Sequence, residues 1–164
     1  MTTSHQPTTP NFTPAGIGVG MLPVSDLAAS AAFYSALFGL EYMREFSADG
    51  QVTGCALGRA DLEYALSFRL RDTIPGQPSM AGEHPLIWFV RDRAGLDDFR
   101  TRALALGLEP TSGEHDDAAW VEVLDPDGIG VRVAMPLRRW TEFSGYELQD
   151  GRHRHLTVPR LGPA

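Results

Sequence analysis

Leu22-Pro23-Val24-Ser25-Asp26-Leu27, followed by Phe33-Tyr34 and closed by Phe38-Gly39-Leu40, decides how this chain is organised. Its skeleton recurs 66 residues later as Val90-Arg91-Asp92, with Phe99 at the same distance from the aspartate and Gly107-Leu108 at the end. Each copy follows an apolar, strand-like run. In each, the aspartate is placed to cap a helix and the glycine to end it. A repeat of this length is too long for a solenoid unit. It predicts one small unit used twice, with a site built between the halves.

Working outward, residues 17–24 read as a strand and Leu27–Phe38 as a helix. Leu27, Ala31, Tyr34 and Phe38 recur at helical spacing, so that face is expected to be buried. Short strands follow near Leu40–Phe46, Val52–Gly58 and Leu62–Leu70, broken by Asp49-Gly50 and Arg59-Ala60-Asp61. The second half repeats the order: strand Leu86–Val90, helix Ala94–Leu106, then strands Leu108–Thr111, Ala119–Leu124 and Ile129–Met135. Asp125-Pro126-Asp127-Gly128 is a strong turn, because proline presets one dihedral and glycine accepts a positive one. The expected organisation is a disordered arm 1–14, a first unit 15–70, a Pro/Gly-rich linker 71–84, a second unit 85–136 and an extension 137–164. In the extension, Trp140, Phe143 and Tyr146 are expected to pack in part, and the Arg/His segment to be loose.

The 164 residues suffice for one domain with a real core. The formal net charge is −7, and every basic residue is arginine. That balance argues against nucleic acid and anionic membranes, whose phosphates need a surplus of cations. No apolar stretch approaches a bilayer span, and the Thr/Pro-rich start does not read as a signal peptide. Cys55 is the single cysteine, which excludes an internal disulfide and suits a reducing cytoplasm.

Taken together, the two Val-x-Asp segments, Phe33-Tyr34, Phe38-Gly39-Leu40 and Asp125-Pro126-Asp127-Gly128 resemble the vicinal oxygen chelate superfamily. Its members include glyoxalase I, extradiol dioxygenases, fosfomycin-resistance enzymes and bleomycin-resistance proteins. The resemblance covers roughly residues 15–136. It implies an α+β fold of paired βαβββ modules, their curled mixed sheets surrounding a shared cleft, and often a homodimer. Members of the superfamily that are enzymes hold a divalent metal with His or Glu from four strands. By the same resemblance those positions fall on Val19, Pro85, Arg132 and Ser67, with Glu63 as the other register for the last. A guanidinium repels a metal and donates hydrogen bonds instead. No metal and no cofactor are therefore expected. His84 is one residue from a ligand position, and a one-residue slip in a strand points a side chain to the opposite face. His153-x-His155 reads as a solvated tail.

Strand alternation sets the expected cleft face. It carries Val19 and Met21; Glu63, Ala65, Ser67 and Arg69; Ile87 and Phe89; Trp120, Glu122 and Leu124; and Gly130, Arg132 and Ala134. The expected ligand-binding residues are Met21, Ser67, Arg69, Ile87, Phe89, Trp120, Glu122 and Arg132. Arg69 or Arg132 either pairs with Glu63 or Glu122 to stabilise a sheet, or meets a ligand. The leading expectation is a metal-independent protein of the bleomycin-resistance type that sequesters a small organic molecule. The alternatives are an enzyme and an interaction module. The enzyme would be metal-free, with Glu63 or Glu122 as base and Arg132 on an oxyanion, or would use a shifted metal site of His84, Glu63 and Glu122.

Overall fold

The computed structural model describes residues 19–62, 64–76, 78–138, 146–149 and 152–156. The order is β1 (Val19–Val24), α1 (Leu27–Phe38), β2 (Glu41–Ala48), β3 (Gln51–Gly58) and β4 (Ala65–Leu70), then β5 (Ile87–Phe89), α2 (Arg93–Ala105), β6 (Thr111–Glu114), β7 (Ala118–Leu124) and β8 (Gly130–Pro136). The first sheet runs β1-β4-β3-β2 and the second β5-β8-β7-β6. In both, the first strand lies parallel to the fourth and the remaining pairs are antiparallel. The sequence repeat is thus a repeat of topology: two βαβββ modules of the α+β class, whose sheets are not closed into a barrel.

Each helix starts and stops as its residues dictate. Asp26 accepts from the amides of Ala28 and Ala29 (2.8 and 3.0 Å), and Asp92 from that of Gly95 (3.0 Å). Gly39 and Gly107, at φ +66° and +74°, turn the chain out of α1 and α2 through a conformation that side chains disfavour. Tyr34 and Leu37 of α1 then meet Leu22, Val24, Leu57, Leu66 and Phe68. Leu96, Phe99 and Ala103 of α2 meet Val121, Val123, Val131 and Val133. These belong to one continuous core, and each large apolar side chain removed from water there contributes about 1.5–3 kcal/mol. Cys55 is buried within it, and burial pushes its thiol pKa up, which leaves it a small, inert apolar group.

The modules join through their helix-bearing sides. Phe38 stacks on Trp88 and Phe99, with centroids 4.1 and 5.8 Å apart. The Asp-Pro-Asp-Gly turn does more than reverse the chain. Asp125 Oδ1 accepts from the amides of Asp127 and Ile129, both at 2.9 Å, and Oδ2 accepts the Tyr34 hydroxyl at 3.1 Å. Asp127 accepts the Ser25 amide at 3.0 Å. Burial, then the adjacent Asp125, raises the Tyr34 pKa far above its usual value, and burial raises that of Asp125.

Two expectations need correction. The strand expected at Leu108–Thr111 lies at Thr111–Glu114, because the Leu108 amide still serves the end of α2, donating to Ala103 O at 3.0 Å. The loose Arg/His segment contains an antiparallel hairpin, β9 (Tyr146–Gln149) with β10 (Arg152–His155). The arm 1–14, Trp140 and Phe143 lie outside the described residues. Among the described residues, no helix is long and apolar enough to cross a membrane.

Candidate functional site

Each sheet has one face covered by its helix and one left open. Leu22, Val24, Leu66, Phe68, Cys55 and Leu57 occupy the covered face of the first sheet. Alternation therefore turns their neighbours to the open face, in two cross-strand rows: Met21–Ser67–Ala56–Arg44 and Pro23–Arg69–Gly54–Phe46. The second sheet's open rows are Ile87–Arg132–Glu122–Thr111 and Phe89–Ala134–Trp120–Gly113. Ile87, Phe89, Trp120, Glu122 and Arg132 thus come together on one sheet, while Met21, Ser67 and Arg69 share the other. Glu63 lies outside the described residues.

The polar centre of the second face is Glu122. Its Oε2 accepts from Arg132 Nε at 2.8 Å and lies 2.6 Å from His84 Nε2. A proton on His84 Nε2 serves the carboxylate, and a lone pair there accepts from Arg132 Nη2, 3.4 Å away; the tautomer decides which. The Arg132 guanidinium carbon lies 4.5 Å from the centre of the Trp120 ring.

Sequence alternation does not predict His84 in this group, since it places only odd residues of β5 on the open face. Residue 84 precedes β5, however, so strand parity does not govern it. The end of the linker is tied to the β7–β8 turn by Gly82 N→Gly128 O and Gly130 N→Glu83 O, both 2.9 Å. This swings the imidazole over Gly130, where a Cβ would come within 2.4 Å of its Cδ2. The signal was Gly130 itself, a strand glycine that permits close approach.

On the first face, the Arg69 guanidinium carbon lies 3.9 Å from the centre of Phe46. It crosses Gly54, where a Cβ would meet its Cδ at 2.6 Å. Arg69 pairs with no described carboxylate. The Ser67 hydroxyl is buried and directed at Cys55 O, 3.4 Å away.

These residues do not fit a metal. Arg132 holds a cation where a ligand is expected, and the Glu122 carboxylate is already ion-paired with it. Val19 and Pro85 offer no donor side chain. Among the described residues, no three His, Cys, Asp or Glu are grouped to hold an ion.

A cavity of about 190 Å³ lies against the second open face, bounded by Ile87, Phe89, Trp120, Arg132 and Ala134. A larger one, about 730 Å³, lies at the module junction beside Phe38, Tyr64, Trp88 and Phe99 and reaches round the edge of β5. Its arginines have structural work: Arg59 donates to Phe38 O and Arg102 to Ala36 O, both at 2.9 Å, closing the carboxyl end of α1.

Residues 16–133 match the profile of the Glyoxalase/Bleomycin resistance protein/Dioxygenase superfamily. No curated protein matches the chain significantly. Among solved structures it is similar to a lactoylglutathione lyase from Agrobacterium tumefaciens, at 22% identity and TM-score 0.60, covering 75% of this chain and 95% of that one. It is also similar to an antibiotic-binding protein from a Streptomyces species, at 16% identity and TM-score 0.62, covering 76% and 98%. A superfamily member from Sphaerobacter thermophilus gives 16% identity and TM-score 0.63, covering 74% and 98%. At these identities the likeness speaks for the fold alone.

Proposed function

The chain belongs to the glyoxalase/bleomycin resistance protein/dioxygenase superfamily, and from that premise we propose that it binds a small organic molecule on its open sheet faces without a metal. The observation that carries this is Glu122 Oε2 held by Arg132, with His84 beside it. A carboxylate bonded in this way fixes a guanidinium, and the guanidinium occupies the place a metal would need. Trp120, Ile87 and Phe89 supply aromatic and apolar walls, as small-molecule sites do. An antibiotic or other natural product, sequestered and so disarmed, suits such a site, and one structural neighbour is an antibiotic-binding protein. The buried, unpaired Cys55 suits a cytoplasmic location.

The working unit is a homodimer. Val19, Met21, Ile87 and Phe89 are 59, 55, 47 and 53% exposed, although they are the apolar residues of the two open faces. Exposed apolar surface of this kind marks an interface or a ligand site. Setting the first module of one subunit against the second module of its partner covers both faces and closes a cleft between them. Calorimetry against a panel of aromatic natural products, with a chelator present, tests the proposal. Saturable binding is expected, and absence of binding across the panel counts against it.

A metal-free enzyme is the second reading. It is favoured by Glu122 Oε1, which has no hydrogen-bond partner among the described residues and is free to take a proton, with Arg132 beside it to stabilise an oxyanion. Turnover abolished in Glu122→Gln while ligand binding persists would select this reading.

A further inference from the structure

We infer, on the premise of the small-molecule reading above, that the ligand is a planar organic anion. The whole chain carries −7 and so favours cations at long range. The first open face reverses that sign. Arg44 and Arg69 project from it, paired across the sheet with Ala56 and Gly54. Among the described residues neither forms an ion pair; Arg91, Arg100 and Arg102 form none either, but they lie on or beside α2 and not on an open sheet face. The only described acid paired into the first face is Glu41, opposite Gly58 at the far end of β2. On the second face, Glu122 is ion-paired with Arg132, and Asp117 and Arg138, which also line the cavity there, lie 4.0 Å apart. The excess is therefore positive on the first face, beside Met21 and Phe46, while the charges of the second are balanced.

Geometry sharpens the class. Arg69 is only partly exposed and lies flat on Phe46, over a β3 position where no side chain intervenes. A cation drawn part-way out of water without a counter-ion is costly unless a ligand supplies one. Arg132 lies on Trp120 and spends Nε on Glu122, which leaves Nη1 to donate. A guanidinium stacked on a ring is held in plane and presents its N–H edge, the match for a carboxylate, sulfonate or phenolate. The ligand's flat body would rest against Met21, Ile87 and Phe89. Bound as a dimer, the arginine of one module and the Arg132–Trp120 pair of the other would grip the two ends of the same molecule.

Three probes of equal shape test this with the full-length protein: 2-naphthoate, 2-naphthylmethanol and 2-naphthylmethylammonium, titrated by calorimetry at low salt. Naphthoate is expected to bind roughly ten-fold or more tightly than the others, the effect of one charge-assisted hydrogen bond, and to weaken as salt is added. Arg69→Gln and Arg44→Gln are each expected to lower naphthoate affinity several-fold and to leave naphthylmethanol unchanged. Equal binding of the three, lost in Trp120→Ala, would overturn the charge preference and leave the small-molecule site standing. Tighter binding of the ammonium probe would overturn it likewise. No binding by any of the three would overturn both.

Discussion

Replacing Tyr34 by phenylalanine removes one atom from the junction between the modules. The Tyr34 hydroxyl is buried and donates to Asp125 Oδ2 at 3.1 Å, while the other Asp125 oxygen keeps its two backbone donors. The substitution leaves the ring in place and takes away only this hydrogen bond. A bond to a carboxylate contributes about 1–3 kcal/mol. Because the buried Asp125 Oδ2 is left without its donor, the upper half of that range, about 2–3 kcal/mol, is expected. For a chain of this size that is a fall in Tm of roughly 4–12 °C at neutral pH.

The same contact sets a pH dependence whose sign is fixed. Folding raises the Tyr34 pKa above its ordinary value of 10.0. The native protein therefore holds this proton where the unfolded chain releases it. Stability from Tyr34 is complete below pH 10 and is lost as pH rises beyond it, at up to about 1.4 kcal/mol per pH unit. Urea titrations of wild type and Tyr34→Phe between pH 7 and 11 measure both effects. The variant is expected to start lower and decline less steeply. An unchanged Tm at neutral pH, or the same alkaline slope in both proteins, would refute the role given to this contact.

Two further perturbations address the site. Gly130→Ala places a methyl group where the His84 ring lies, and displaces the imidazole from Glu122. Because His84 is partly exposed and can swing aside, probe affinity is expected to fall several-fold with little loss of Tm. An unchanged affinity would remove His84 from the site. Met21→Glu and Ile87→Glu put charge on the two exposed apolar faces, and light scattering is expected to show a dimer becoming a monomer in each. Dimers that survive both changes would place the interface elsewhere.

Much of the fold was legible because its signals are local. Asp26 and Asp92 cap, Gly39 and Gly107 stop, and period-two alternation divides Leu66 and Phe68 from Ser67 and Arg69. The repeat carried the topology with them. What escaped depends on tertiary position. Asp125 and Asp127 read as turn residues, yet they also bind Tyr34 and Ser25 of the other module, about a hundred residues away in sequence. His84 reaches Glu122 only because the linker is hydrogen-bonded to the β7–β8 turn, which no alternation rule describes. Arg69 lies on the face of Phe46, opened to it by Gly54, a cross-strand contact that alternation alone does not mark.

We propose that Arg132, drawn to Glu122, stands in place of a metal. The most direct test is the metal content of protein purified without chelator from cells supplied with zinc, nickel, manganese and iron, measured by mass spectrometry of the elements. Far less than one bound ion per chain is expected, with ligand binding unchanged after dialysis against a chelator. One tightly held ion per chain, whose removal abolishes binding, would contradict it.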